Sequence, residues 1–200
     1  MTRSTDDRPP DRRPLPLVQA TCVLIGAGAV LIRGAPGSGK SALAAALLAR
    51  DGTRLPVRLV ADDAVSVVAR GDRLVAIAPE PIRGLMEMRG VGILPGPHEP
   101  RAVVRLVVDM VAPDRVERLP GPAEATVAIA GVALPRIAVP AGDAAATGRV
   151  LAVLERIAAG TWNGIRTGNR SANSTDRRGG GPSNDLGDDP ETGPTPRIRA

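Results

Sequence analysis

The chain has 200 residues, 26 basic and 21 acidic side chains, a formal charge of +5, no Phe or Tyr and one Trp, enough for one domain with an aliphatic core. That composition argues against nucleic-acid recognition through stacked aromatics, and the thinly spread charge against a basic binding stripe. One cysteine, Cys22, excludes an internal disulfide, and one histidine, His98, excludes a Cys/His zinc site.

Residues 1–14, MTRSTDDRPPDRRP, are charged and proline-rich, with no apolar segment to act as a signal peptide. They read as a disordered lead. Residues 15–32 carry no charge, but Pro16, Gln19 and the Gly/Ala turns suit buried strands better than a membrane span. A cytoplasmic protein with no membrane partner is expected. ATCVLI and AVLIR form a hairpin across Gly26-Ala27-Gly28, and SALAAALLAR is built of strong helix formers. VRLVADD is an apolar strand ending in two acids, and AVSVVAR and RLVAIAP make a second hairpin around Arg70-Gly71-Asp72. PIRGLMEMRGVGILPGPHEP, punctuated by Gly and Pro, reads as a functional loop around Glu87. RAVVRLVVDMV is a strand, ATVAIA and VALPRIAVP pair across Gly131, and a helix closes the fold near residues 144–159. From residue 161 the chain is rich in Gly, Ser, Asn, Asp and Pro and reads as a disordered tail. The folded unit is therefore 15–160, an α/β domain rich in strands and hairpins with few helices.

Chemistry concentrates at GAPGSGKS, Gly34 to Ser41. An apolar strand precedes it and a helix follows, the context a Walker A phosphate loop requires. Glycines let backbone N–H groups turn inward around phosphate oxygens, and the helix adds the positive end of its dipole. Lys40 is the only lysine in the chain; a compact charge on a flexible stem can follow a phosphoryl group where arginine's planar fork would not fit. Ser41 offers a hydroxyl to Mg²⁺. A carboxylate must complete such a site, and Asp62, Asp63 and Asp109 all stand at strand ends. Adjacent strand residues point oppositely, so one of Asp62 and Asp63 could meet the substrate while the other supports the metal or the fold.

Together, Walker A, VRLVADDAV, LMEMRGVGIL, VERL and PRIAVP resemble the catalytic domain of bacterial HPr kinase/phosphorylase over about residues 19–157. The short, catalytic-domain-only form found in alphaproteobacteria is the nearest pattern. The resemblance implies a P-loop kinase domain related to phosphoenolpyruvate carboxykinase, using ATP and Mg²⁺ and assembled as a hexamer. Its substrate would be a serine of HPr, or of a nitrogen-system relative. Gly34, Ala35, Pro36, Gly37, Ser38, Gly39, Lys40 and Ser41 would then hold the triphosphate. Asp62 would be the base, Ser41, Glu87 and Asp63 would serve the metal, and Arg118 would steady the phosphoryl group. The chain departs from the family at three places. Gln19 stands where longer members have a histidine, and Ala42 replaces a frequent acid. PAGDAA brings Asp143 where a basic loop is expected, so phosphorolysis of phosphoserine is expected to be weak. A P-loop ATPase or nucleotide-binding regulator without protein kinase activity is the alternative, and it would gain if Asp109 rather than Asp62 were the main acid.

Overall fold

The computed structural model describes residues 15–50 and 55–162. The lead at 1–14 and all but the first two residues of the tail lie outside the described residues.

Eleven strands and two α-helices follow one another among these residues. The first part contains β1 (Leu17–Gln19), β2 (Thr21–Ile25), β3 (Gly28–Gly34), α1 (Lys40–Leu48) and β4 (Val57–Ala61). Next come β5 (Ala64–Arg70), β6 (Arg73–Ile77), β7 (Leu85–Met88) and β8 (Gly92–Pro95). The chain closes with β9 (Arg101–Val111), β10 (Thr126–Ile129), β11 (Val132–Pro140) and α2 (Ala146–Ala158). The expected hairpins β2–β3, β5–β6 and β10–β11 all form.

β9 organises the sheet. Its residues 104–110 pair in parallel with β3 along one edge, leaving the other edge for two partners in succession. Residues 101–103 take β6 antiparallel, and residues 107–111 take β11 parallel. The main path therefore runs β1-β5-β6-β9-β3-β2-β4, with β11 and β10 branching from β9. Where parallel neighbours flank it, β9 is apolar on both faces: Leu106, Val107 and Val108 are all fully buried.

Alternation divides the core in two. Val30, Ile32, Leu106 and Val108 point to the face covered by α1 and α2, meeting Leu43, Leu47 and Val150. Leu31 and Val107 point the other way, into a cluster with Val60 of β4 and Leu74 of β6. Those two strands are far apart in the sheet order, so the sheet curls over itself on the face without helices. Cys22 belongs to this second cluster, where burial pushes its thiol pKa up and leaves it an inert core residue. Neither described helix is long and apolar enough to cross a membrane.

Residues 81–100, read as a loop from their glycines and prolines, instead contain a separate two-stranded hairpin. Leu85 to Met88 pair with Pro95 to Gly92, and Met86 turns into the helix-side core.

Leu106→Ala should cost about 2–5 kcal/mol, because the lost contacts leave a cavity between sheet and helices. Leu17→Ala, at a side chain 64% exposed, should stay within about 0.5 kcal/mol of wild type. Urea unfolding of the two variants measures the difference.

Candidate functional site

β3 ends at Gly34, and the chain crosses five residues to Lys40, the first residue of α1. The crossing is tight. A Cβ at Gly34 would lie 2.6 Å from Ser38 Oγ and 2.8 Å from the Met110 carbonyl at the end of β9. Gly39, immediately before the helix, has φ +94°, which a side chain would strain. Ser38 Oγ is buried with no hydrogen-bond partner among the described residues. An unsatisfied donor inside a glycine cradle suits a phosphate oxygen, as do the free N–H groups of the first turn of α1. Lys40 is buried, and its ammonium donates to the carbonyls of Gly34 (3.0 Å) and Ala35 (3.1 Å). Its charge is folded onto the loop rather than spent on a carboxylate.

The loop forms one wall of a cleft of about 450 Å³. Pro36, Gly37, Gly39, Lys40 and Ser41 face Asp62, Asp63, Glu87 and Arg89 across it, with Gln19 and Ala42 also on the lining. The two adjacent acids are committed differently. Asp62 is 5% exposed. Its Oδ1 accepts the hydroxyls of Thr21 (2.7 Å) and Ser41 (3.0 Å), and its Oδ2 accepts the backbone N–H of Glu87 (3.1 Å). Asp63 is exposed, adopts φ +65° and has no side-chain partner among the described residues. Glu87, Arg89 and Asp63 are the exposed charges of the cleft.

The donor set fits magnesium: a hydroxyl from Ser41, a carboxylate already on it, and two further carboxylates on one cleft. Among the described residues no cluster of three metal-binding side chains is preformed, as expected where one or two carboxylates and substrate phosphates share the ion.

Three sequence candidates are not at this cleft. Asp109 points to the other side of β9, between Arg33 (Nε–Oδ1 2.8 Å, Nη2–Oδ2 2.9 Å) and Arg136. Burial pushes its carboxyl pKa up, but the hydrogen bonds and charges of the two arginines outweigh this and hold it below the usual carboxylate range. It is a structural clamp and not the acid of the loop. Arg118 lines a second cavity of about 530 Å³ with Arg136, Arg149 and Trp162, so the fold does not bring it to the loop within one chain. Asp143 accepts the N–H of Ala145 (2.9 Å) at the start of α2, and its other oxygen lies 3.3 Å from Arg149. It is paired there and does not line the cleft, so the expected repulsion of phosphate has no support within one chain. Conversely, Arg89 joins Glu87 on the cleft from the same motif, and Thr21 supports the site with no sequence signal of its own. Arg89 stands in the quoted MEMRGVGIL motif, whereas nothing local marks a threonine 41 positions before its aspartate.

Strand, glycine loop and helix, with a buried carboxylate on the helix's first hydroxyl, define a P-loop kinase fold. The chain belongs to the HPr Serine kinase C-terminal domain family, whose sequence model matches residues 17–178. It is 36% identical over 159 residues to the HPr kinase/phosphorylase of Limosilactobacillus reuteri, covering 74% of this chain and 47% of that protein. It is 36% identical over 154 residues to that of Geobacillus thermodenitrificans, covering 72% and 47%. The chain thus spans about half the length of the curated relatives it matches. The solved Hpr(Ser) kinase/phosphatase of Coxiella burnetii superposes with a TM-score of 0.62 at 24% identity, over 72% of this chain and 97% of that one.

The clamp has a pH signature. Because Asp109 titrates lower in the folded chain than unfolded, its contribution is full above the unfolded value near 4 and fades as pH falls through the folded value. Asp109→Asn should lower stability at neutral pH by about 2 kcal/mol and flatten the acid side of the profile. Urea midpoints between pH 7 and pH 3 check both.

Proposed function

We propose that this domain transfers the γ-phosphoryl group of ATP to a serine of an HPr-like phosphocarrier, and that it returns the group from phosphoserine to inorganic phosphate. One observation carries the reading: two adjacent acids share the loop's cleft, one buried on Ser41 and one exposed and unpaired among the described residues. The pair supplies both a carboxylate for the metal side and a base for a hydroxyl substrate.

The roles divide accordingly. Residues 34–41 hold the triphosphate, with Lys40 moving from the loop carbonyls to the β- and γ-phosphates. Ser41, Asp62 and Glu87 would hold Mg²⁺, which when bound draws charge off the phosphate oxygens. The base given to Asp62 by resemblance passes to Asp63. Asp62 is nearly closed to solvent with hydrogen bonds to both oxygens, whereas Asp63 is exposed on the same cleft, which favours Asp63 for a serine on a protein surface. Asp63 accepts the proton from the serine hydroxyl as its oxygen bonds to the γ-phosphorus, and the bond to the bridging oxygen breaks to release ADP. In reverse, a phosphate oxygen bonds to the phosphoserine phosphorus. The serine oxygen then leaves with the proton from Asp63, and pyrophosphate forms. Arg89 takes the steadying role given to Arg118, since it is the exposed cation on the cleft.

With Asp143 paired to Arg149, its repulsion of phosphate drops out, but PAGDAA still brings no cation, so phosphorolysis is expected to be the weaker direction. The ATPase alternative would gain from Asp109 at the loop, but Arg33 and Arg136 hold that carboxylate on the other side of β9. A cytoplasmic homo-oligomer, a hexamer by family resemblance, belongs to the same reading, and neither nucleic acid nor membrane enters it.

Lys40→Ala should lose most of the thermal protection given by ATP while its far-UV circular dichroism stays unchanged. Asp63→Asn should retain ATP binding and lower phosphoserine formation on HPr by about 10²–10⁴-fold, the usual share of a positioned base. Phosphorylation of HPr at the wild-type rate by Asp63→Asn would remove the base from this scheme.

A further inference from the structure

The start of β2 grips both cleft acids from behind. Thr21 is fully buried and donates its hydroxyl to Asp62 Oδ1 at 2.7 Å, closer than Ser41 at 3.0 Å. One residue earlier, the N–H of Ala20 donates to the carbonyl of Asp63 at 3.1 Å. That bond helps hold Asp63 at φ +65°, a conformation that costs a non-glycine residue about 1 kcal/mol or more. Ala20 and Thr21 thus fix one acid through a side chain and the other through the backbone.

Packing alone does not call for a hydroxyl here. The buried residues that follow, Cys22 and Val23, are apolar, and so is Ile32, the cross-strand partner of Thr21. Valine has nearly the same volume and would bring no polar atom to satisfy. The hydroxyl has its effect at the carboxylate. An ionised carboxylate offers about four acceptor positions. Thr21, Ser41 and the Glu87 N–H fill three of them and lock the side-chain torsions of Asp62.

We propose that Thr21 is a positioning residue for the metal, acting through Asp62. This rests on the reading of Asp62 as the metal-side carboxylate. Without the Thr21 hydroxyl, Asp62 is held only by Ser41, whose oxygen the metal also recruits, and by the hairpin N–H. Its carboxylate then turns more freely, and each metal-binding event must order it again.

The test is calorimetric titration of the full-length chain with ATP, in EDTA and over a magnesium series. In Thr21→Val the magnesium concentration that half-restores tight ATP binding should rise about tenfold, the effect of one hydrogen bond to a charged group. Metal-free ATP binding, which uses only the loop, should stay unchanged. Thr21→Ser, which keeps the hydroxyl, should stay close to wild type. In an Asp62→Asn background, Thr21→Val should add nothing further. If Thr21→Val gives no cooperative melt, Thr21→Ala removes the same hydroxyl without requiring a new fit. ATP binding with wild-type magnesium dependence in Thr21→Val or Thr21→Ala would overturn the inference while leaving the kinase reading intact, and so would a full tenfold rise in the Asp62→Asn background. A wild type that binds no ATP would overturn the kinase reading together with this inference.

Discussion

A carboxylate that is 5% exposed is tolerable only if its oxygens are answered by donors. Asp62 sets that requirement for the whole site. Its donors come from β2, from the first turn of α1 and from β7, elements distant in sequence that must all be in place before the charge is satisfied. Each donor brings something else with it. α1 brings the glycine loop, β7 brings Glu87 and the hairpin, and β2 brings the hold on Asp63. The cleft is therefore assembled around one buried charge, on the helix side of a sheet whose parallel strands β3 and β9 end there together.

The second charged cluster is on the other side of that strand pair. Arg33 directly precedes Gly34, and Asp109 directly precedes Met110, whose carbonyl abuts Gly34. The Arg33–Asp109–Arg136 clamp thus ties the ends of β3 and β9 to the middle of β11, just before the backbone leaves β3 to form the loop. A loop this close to its neighbours, with no room for a Cβ at Gly34, needs its two supporting strands at a fixed separation. The clamp supplies that fixity from outside the cleft.

Local patterns were legible where the chemistry is local. Gly34 to Ser41, the Ala/Leu run of α1 and the three hairpins are each specified by residues close in sequence, and each forms as expected. Patterns that depend on partners were not. The β7–β8 hairpin is hidden among glycines and prolines, because its alternation is carried by four-residue strands, too short to show a period. Asp62 and Asp63 could be recognised as a divided pair, but that Asp62 is the buried one depends on Thr21, and a buried threonine in an apolar strand reads like any core residue. Asp109 resembled a Walker-type acid because a strand end looks the same whichever way its side chain points. Asp143 was misjudged for a similar reason, since Arg149, which neutralises it, is one of many arginines in the sequence. Arg118 could be placed by its motif in the family but not in space, because the stretch around it, residues 112–125, has no strand to fix its direction.

Trp162 is the only aromatic residue of the chain, and it lines the cavity between β11 and α2 rather than the glycine-loop cleft. Intrinsic fluorescence therefore has a single origin, at the far end of the clamp from the phosphate loop. An emission change on adding nucleotide would not arise from direct contact with the cleft. It would report how firmly β3, β9, β11 and α2 carry a disturbance along the helix-covered face from the loop to that cavity. The chain carries its own optical reporter of that coupling, with no competing tyrosine signal.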